Sequence, residues 1–123
     1  MKITTTHLAP QAIGPYSQAV EANGFIFCSG QIALQPNGEF LDGNVEEQTK
    51  QVLENLKNVL EVGSSGINKV VKTTIFLSDI ADFAKVNEIY GEFFGEHKPA
   101  RATVAVKELP KNAKVEIEAI ATN

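Results

Sequence analysis

The sequence has one cysteine, Cys28, so no disulfide can close within it. That suits a reducing compartment, and the cytoplasm is the expected setting. Histidine is almost as scarce, with only His7 and His97, far apart. One thiol and two distant imidazoles do not make the ligand spacing of a structural zinc site. No glycine-rich phosphate loop and no candidate Schiff-base lysine stand out, so no cofactor and no metal are expected. Long apolar runs are missing. Nothing approaches the roughly 20 residues that span a bilayer, and Met1 to His7 lacks the apolar stretch of a secretory signal. No membrane partner is therefore expected. Positive charge is in short supply, 11 Lys and Arg against 15 Asp and Glu, for a formal net charge of −4. Generic nucleic-acid binding needs a basic field, so nucleic acid is not an expected partner.

What is there is an ordinary globular composition. Hydrophobic residues make up 43% and charged residues 21%, too apolar a balance for a disordered chain. The length suits one domain with its own core over residues 1–123. No internal repeat, linker or low-complexity stretch interrupts it. Lys2 to Thr6 reads as a short β-branched edge strand. Ala19 to Glu21 and Phe25 to Ser29 read as strands joined by Asn23-Gly24, the dipeptide favoured in tight hairpin turns. Gly30 breaks the second strand, and Gln31 to Leu34 continues it. A Ser29-Gly30 break suits a bulge, which can also turn a backbone N–H toward a ligand.

Asn44 to Val62 reads as a helix, with Asn44 and Glu47 at capping-box spacing. Its apolar stripe runs through Val45, Val52, Leu56, Val59 and Leu60, and Gly63 supplies the stop. Lys69 to Leu77 is a β-branched strand. Asp79 or a neighbour caps a second helix whose stripe is Phe83, Val86, Tyr90 and Phe93 or Phe94, ended by Gly95 and Pro99.

The last two strands hold the candidate chemistry. In the first, Ala102, Val104 and Val106 alternate with Arg101, Thr103 and Ala105. In the second, Val115, Ile117, Ala119 and Ala121 alternate with Glu116, Glu118 and Ile120. If the apolar faces share one core, Arg101 and Glu116 point the same way, off that core. A fixed cation near a carboxylate on a rigid sheet suits a small anionic substrate and an acid/base step. The pattern does not choose between Glu116 and Glu118. The order ββ(β)-α-β-α-β-β defines an α+β fold, a mixed β-sheet with two helices packed on one face. The other face is then expected to carry Thr74, Phe76, Arg101, Thr103, Glu116 and Ile120. Such a mixture of Phe and Ile with polar groups calls for self-association as cover. Tyr16, after a Gly-Pro turn, is either a packed aromatic or a pocket wall. Cys28 alternates against Ser29 and belongs in the core. His7 and His97 are expected at the surface, and Lys107 to Lys114 as a solvated turn.

Several segments, in order, carry a resemblance. They are Ala12-Ile13-Gly14-Pro15-Tyr16-Ser17-Gln18-Ala19, Phe27-Cys28-Ser29-Gly30-Gln31, Gln48-Thr49 and Val52-Leu53-Glu54-Asn55-Leu56. Val71-Lys72-Thr73-Thr74, Asp82-Phe83-Ala84-Lys85-Val86-Asn87, Tyr90, Pro99-Ala100-Arg101 and Glu116-Ile117-Glu118-Ala119 complete the set. Together they resemble the reactive intermediate deaminase family, RidA type, over essentially the whole chain. The resemblance implies a chorismate-mutase-like, RidA-like fold and homotrimers with sites in clefts between subunits. It implies hydrolysis of 2-enamino and 2-imino acids, released by pyridoxal-phosphate enzymes such as threonine or serine dehydratase, to 2-keto acids and ammonia. That is the activity of a 2-iminobutanoate/2-iminopropanoate deaminase, which uses no cofactor.

Residue roles follow from the same resemblance. Arg101 is implied to bind the substrate carboxylate, Glu116 to position or activate the attacking water, and Tyr16 to line the pocket. Ser29 and Gly30 are implied to contact the carboxylate or amine, with Asn87 in support. Some members carry a cysteine two residues after the arginine. Thr103 stands there instead, offering a hydrogen bond in place of a thiol. Two other readings stand beside this one. One is a non-catalytic small-molecule-sensing or protein-binding trimer, against which Arg101 speaks. The other is an RNA-directed ribonuclease or translation inhibitor, against which the acidic balance and lack of a histidine pair speak.

Overall fold

The computed structural model describes residues 1–123. Its elements are β1 (Lys2–Thr4), β2 (Ala19–Ala22), β3 (Phe25–Gln31), α1 (Val45–Val62), β4 (Val70–Leu77), α2 (Phe83–Phe94), β5 (Ala100–Ala105) and β6 (Val115–Thr122). The strands form one sheet in the order β1-β2-β3-β6-β4-β5. Every pairing is antiparallel except β4 with β5. The parallel pair is the one that needs a crossover, and α2 supplies it. No helix is long and apolar enough to cross a membrane.

Local sequence explains most of these elements. Asn23 and Gly24 both have positive φ, 52° and 83°, the backbone that a two-residue hairpin turn requires. Asn44 accepts from the Glu47 N–H at 2.8 Å, and Glu47 accepts from the Asn44 N–H at 3.1 Å. The expected capping box is thus complete, and both orphan donors are satisfied. Gly63 ends α1 for a different reason from the expected one. Its own φ is −80°, and the left-handed residue is Ser64 at 62°. A Cβ at Gly63 would lie 2.8 Å from Ile26 Cδ1, so glycine lets the helix end approach β3. Asp79 caps a short 3₁₀ turn, accepting from the Ala81 N–H, and that turn leads into α2.

Both helices pack on one face of the sheet, as expected. Ile26, Cys28, Ile75, Leu77, Val115, Ile117 and Ala119 meet Val52, Leu56, Leu60, Val86, Tyr90 and Phe94 in one buried cluster. Cys28 lies inside it, and burial pushes its thiol up to about 12. The opposite face is open. Phe25, Phe27, Val71 and Val104 are each at least 40% exposed there, a larger apolar exposure than scattered surface residues explain.

One expectation about that open face is wrong. Thr73, Ile75 and Leu77 of β4 face the core, and their partners on β5 are Arg101, Thr103 and Ala105. Paired residues share a face, so Arg101 and Thr103 lie on the helix side of the sheet. Ala102 and Val104 lie on the open side, beside Thr74 and Phe76. On β6 the expected parity holds, with Glu116 beside Phe76 and Glu118 beside Thr74. Arg101 and Glu116 therefore point to opposite faces. The assignment failed because β5 is an edge strand beyond the reach of α1. Its helix side meets the rings of α2, which accept a guanidinium, so apolarity does not mark its inner face.

Candidate functional site

Tyr16, Gly30 and Glu116 line one cleft and Asn87 and Arg101 another, one on each side of the sheet, while Ser29 and Thr103 line neither. The first encloses about 180 Å³ and is lined by Ile13, Tyr16, Gly30, Gln31, Glu116 and Pro110 among others. A bulge builds its floor. Two residues of β3, Ser29 and Gly30, stand between Cys28 and Gln31, where β6 has only Glu118 between their partners Ala119 and Ile117. The extra residue falls at Ser29-Gly30, where the sequence break stands. A Cβ at Gly30 would sit 2.5 Å from Glu116 Oε2, so any side chain there would displace the carboxylate. The carboxylate thus lies directly over the glycine backbone.

The wall of this cleft is the segment before β2. Buried Gln18 fastens it, accepting from the Thr6 N–H at 2.7 Å and donating to the Pro10 carbonyl at 2.7 Å. Ser29 Oγ donates to the Ser17 carbonyl at 2.6 Å, so this hydroxyl braces the segment. Tyr16 ends up half-exposed over the cleft, its hydroxyl 3.4 Å from the Ile13 N–H. Asn55 of α1 donates to the Leu34 carbonyl at 2.8 Å and holds the chain that continues from the bulge. Glu116 is the perturbed acid of the cleft. Burial raises it above the ordinary glutamate range, and the like charge of Glu118 adds to the rise. A carboxylate so raised is suited to exchanging protons with bound water.

The second cleft, about 450 Å³, is lined by Asn87, Tyr90, His97, Lys98, Pro99 and Arg101 among others. The Arg101 guanidinium carbon lies 4.9 Å from the Tyr90 ring centroid and 5.7 Å from that of Phe83. No acidic group is within ion-pair distance of it; the chain's ion pair is Lys2 with Glu21. Its planar fork is free to pair a carboxylate through two N–H bonds. Beside it on β5, Thr103 Oγ1 is buried without a hydrogen-bond partner. His97, expected at the surface, is half-buried, and its Nε2 lies 2.7 Å from the Val70 carbonyl oxygen.

Tyr16, Gly30 and Glu116 are therefore brought together, with Ser29 behind them, and Asn87, Arg101 and Thr103 form a second group. The sheet separates the groups, so one small molecule cannot touch Arg101 and Glu116 of the same chain. Sequence reasoning treated Phe83 and Tyr90 as core alone. Their spacing with Asn87, four and three residues on, places all three on one face of α2, and that was the available signal. Gln18 was quoted within a motif without a role, because its partners lie in a loop that has no period.

A mixed sheet backed by two helices, with Glu116 in a cleft on one side and Arg101 in a cleft on the other, defines the α+β class of this chain. Known proteins of that shape match closely. The family model described as Endoribonuclease L-PSP matches residues 6–123. A RutC family protein of Pyrococcus horikoshii is 51% identical over 121 residues, 98% of this chain and 96% of its own length. The 2-iminobutanoate/2-iminopropanoate deaminase of Mus musculus is 49% identical over 121 residues, 98% of this chain and 90% of its own. Among solved structures, the YjgF gene product from E. coli superposes with a TM-score of 0.94 at 45% identity, covering 100% of this chain and 99% of its own. The chain belongs to this L-PSP family, whose members also bear the names RutC and reactive intermediate deaminase.

Proposed function

We propose that the chain is a deaminase of reactive 2-enamino and 2-imino acids, releasing 2-keto acids and ammonia. It works as a cytoplasmic homotrimer of one-domain subunits, residues 1–123, with each site shared between neighbours. The observation that carries this reading is the division of the candidate residues between two open clefts of one chain. An unpaired arginine on one side and a raised carboxylate on the other are complementary halves. A neighbouring subunit seated on the exposed apolar face, around Phe27 and Val104, covers that face and brings the halves together. The family to which the chain belongs includes proteins named as such deaminases.

The chemistry needs little more. A C=N carbon is already electrophilic, so the reaction draws on no metal or cofactor. Arg101 grips the substrate carboxylate by its two-pronged fork. That fixes the C=N carbon against a water held by Glu116 of the adjoining subunit. Glu116 takes a proton from this water as its oxygen bonds to carbon and passes it to the imine nitrogen, giving a carbinolamine. It then takes the hydroxyl proton and delivers it to the amine as the C–N bond breaks and the C=O bond forms. Water and imine become ketone and ammonia, and the glutamate is regenerated. Tyr16 walls the substrate, the Gly30 backbone lies under the carboxylate of Glu116, and Ser29 holds that wall in place. Asn87 and Thr103 supply polar groups on the arginine side. An orienting site of this type replaces a random encounter with water by a positioned one.

Ribonuclease action has less support. The net charge is −4, and His97 is held by the Val70 carbonyl. The test follows keto acid release from 2-aminoacrylate and 2-aminocrotonate generated in place by a dehydratase, with and without the protein. Faster release is expected. No acceleration overturns the proposal, and keto acid binding without turnover favours a sensing role. Light scattering is expected to give three chain masses, and a stable monomer would remove the shared site.

A further inference from the structure

We infer that Tyr90, anchored by Thr73, is a positioning residue whose ring face holds the Arg101 guanidinium ready for a carboxylate. The inference rests on the deaminase reading only for the identity of that ligand.

Arg101 is the only arginine in the chain. It stands on an edge strand, where a long side chain is otherwise free to sweep many rotamers. Arginines are commonly held by a carboxylate, but none is within ion-pair distance of this one. A carboxylate there would occupy the donors that an incoming carboxylate needs and cancel the charge that attracts it. Ring faces do neither. An aromatic face attracts the cation through its quadrupole and leaves the in-plane N–H groups free.

Tyr90 and Phe83 both offer a face, but only Tyr90 is fixed. It is 7% exposed, against 38% for Phe83. Its ring packs on Phe94 at 4.6 Å between centroids. Its hydroxyl shares a 2.6 Å hydrogen bond with Thr73 Oγ1. Thr73 is wholly buried, and it is the direct partner of Arg101 across the β4–β5 ladder. The three residues thus close a loop. Ladder pairing sets Arg101 beside Thr73, Thr73 sets the phenol, and the phenol ring sets the guanidinium. Burial raises the Tyr90 hydroxyl above the ordinary tyrosine range, with the Thr73 bond and the Arg101 charge pulling the other way. The phenol stays neutral near pH 7, so the contact is with the ring face and not with a phenolate.

Because arginine occurs once, Arg101 Nε–H gives one resonance in isotope-labelled protein. Its order parameter reads side-chain position with no substrate present. It is expected to be high in the wild type, low in Tyr90→Leu, and intermediate in Tyr90→Phe and Thr73→Val. The Tyr90→Phe/Thr73→Val double variant should match either single one, because both break the same bond. Calorimetry with 2-oxobutanoate is expected to show binding weakened roughly five- to thirty-fold by Tyr90→Leu. In an Arg101→Ala background the same change should add nothing. A merely structural role would alter Tm and leave the order parameter alone. Unchanged Arg101 order in folded Tyr90→Leu overturns the inference, as does an equal affinity loss with and without Arg101. If Tyr90→Leu does not fold, Tyr90→Phe and Thr73→Val decide, and unchanged order in both overturns it. A wild type that releases no keto acid defeats the deaminase reading, while the order parameter still decides the positioning.

Discussion

Mixing two disabled variants tests the shared site most directly. Arg101→Ala removes the cation from one cleft, and Glu116→Gln removes the carboxylate from the other. Neither should unfold the chain. Arg101 makes no ion pair and rests on the outside of two rings, and Glu116 lies half-buried on the open face. Losing a bidentate clamp of about 2–5 kcal/mol should lower kcat/KM roughly thirty-fold to several thousand-fold. Losing a general base should cost roughly 10²- to 10⁴-fold. Each homogeneous variant is then nearly inactive. In a mixed ring, however, one subunit boundary joins an intact Arg101 to an intact Glu116. With random assembly from equal amounts, each half is intact about half the time, so about a quarter of the wild-type rate should return. The assay is keto acid release, followed through an NADH-linked reductase, after co-refolding of differently tagged variants. Mass spectrometry verifies that mixed assemblies formed. A rate that stays at the sum of the parents in verified mixed assemblies would refute the reasoning from opposite faces.

Other outcomes follow from single contacts. Arg101→Lys should recover little of the Arg101→Ala loss, since an ammonium has no planar fork; near-wild-type kcat/KM for the lysine variant would remove the clamp. Both should cost only about 1 kcal/mol, a few degrees of Tm, for the lost ring contacts. Gly30→Ala pushes a methyl to within 2.5 Å of Glu116 Oε2. The carboxylate end can swing away, so the fold should persist while kcat/KM falls about a hundred-fold; unchanged kinetics would show that the position of Glu116 is immaterial. Glu116 must be ionised to act as base, so the acid limb of kcat/KM should lie above the ordinary glutamate range, and Glu118→Gln should move it down. The folded state holds the Glu116 proton more tightly than the unfolded state, a contribution present at low pH and lost as pH rises through the raised value. Glu116→Gln should therefore raise Tm at pH 7 and not at pH 4, which thermal scans at both pH values check. Cys28→Ala should keep full activity and lose about 1 kcal/mol of stability, whereas a folded but inactive variant would demand a role for the thiol.

Much of the framework was legible because short-range chemistry decides it. Asn44 and Glu47 cap α1 through partners three residues apart. Asn23-Gly24 turns the hairpin with backbone angles that few other dipeptides accept. The alternation of Val115, Ile117, Ala119 and Ala121 is unambiguous because β6 is central and its inner face is sealed. Cys28 could be assigned to the core by the same parity. The family resemblance groups Tyr16, Gly30 and Glu116 in one site with Arg101; the fold places these three in one cleft and Arg101 in another.

Tertiary structure alone decided which side Arg101 serves. The last two strands are neighbours in sequence but not in the sheet, because β4 lies between them. Strand order depends on which long-range pairing buries the most apolar surface, and no local pattern records that. On β5, alanine and valine alternate with arginine and threonine, and hydrophobicity favours turning the former inward. The fold does the reverse. Tyr90 and Phe83 of α2 make the inner side of this edge strand a surface that prefers a cation, while the outer side continues an apolar face awaiting cover. Where aromatic rings can accept a charge, the polar side chain can face the core, and parity read from the sequence loses its sign.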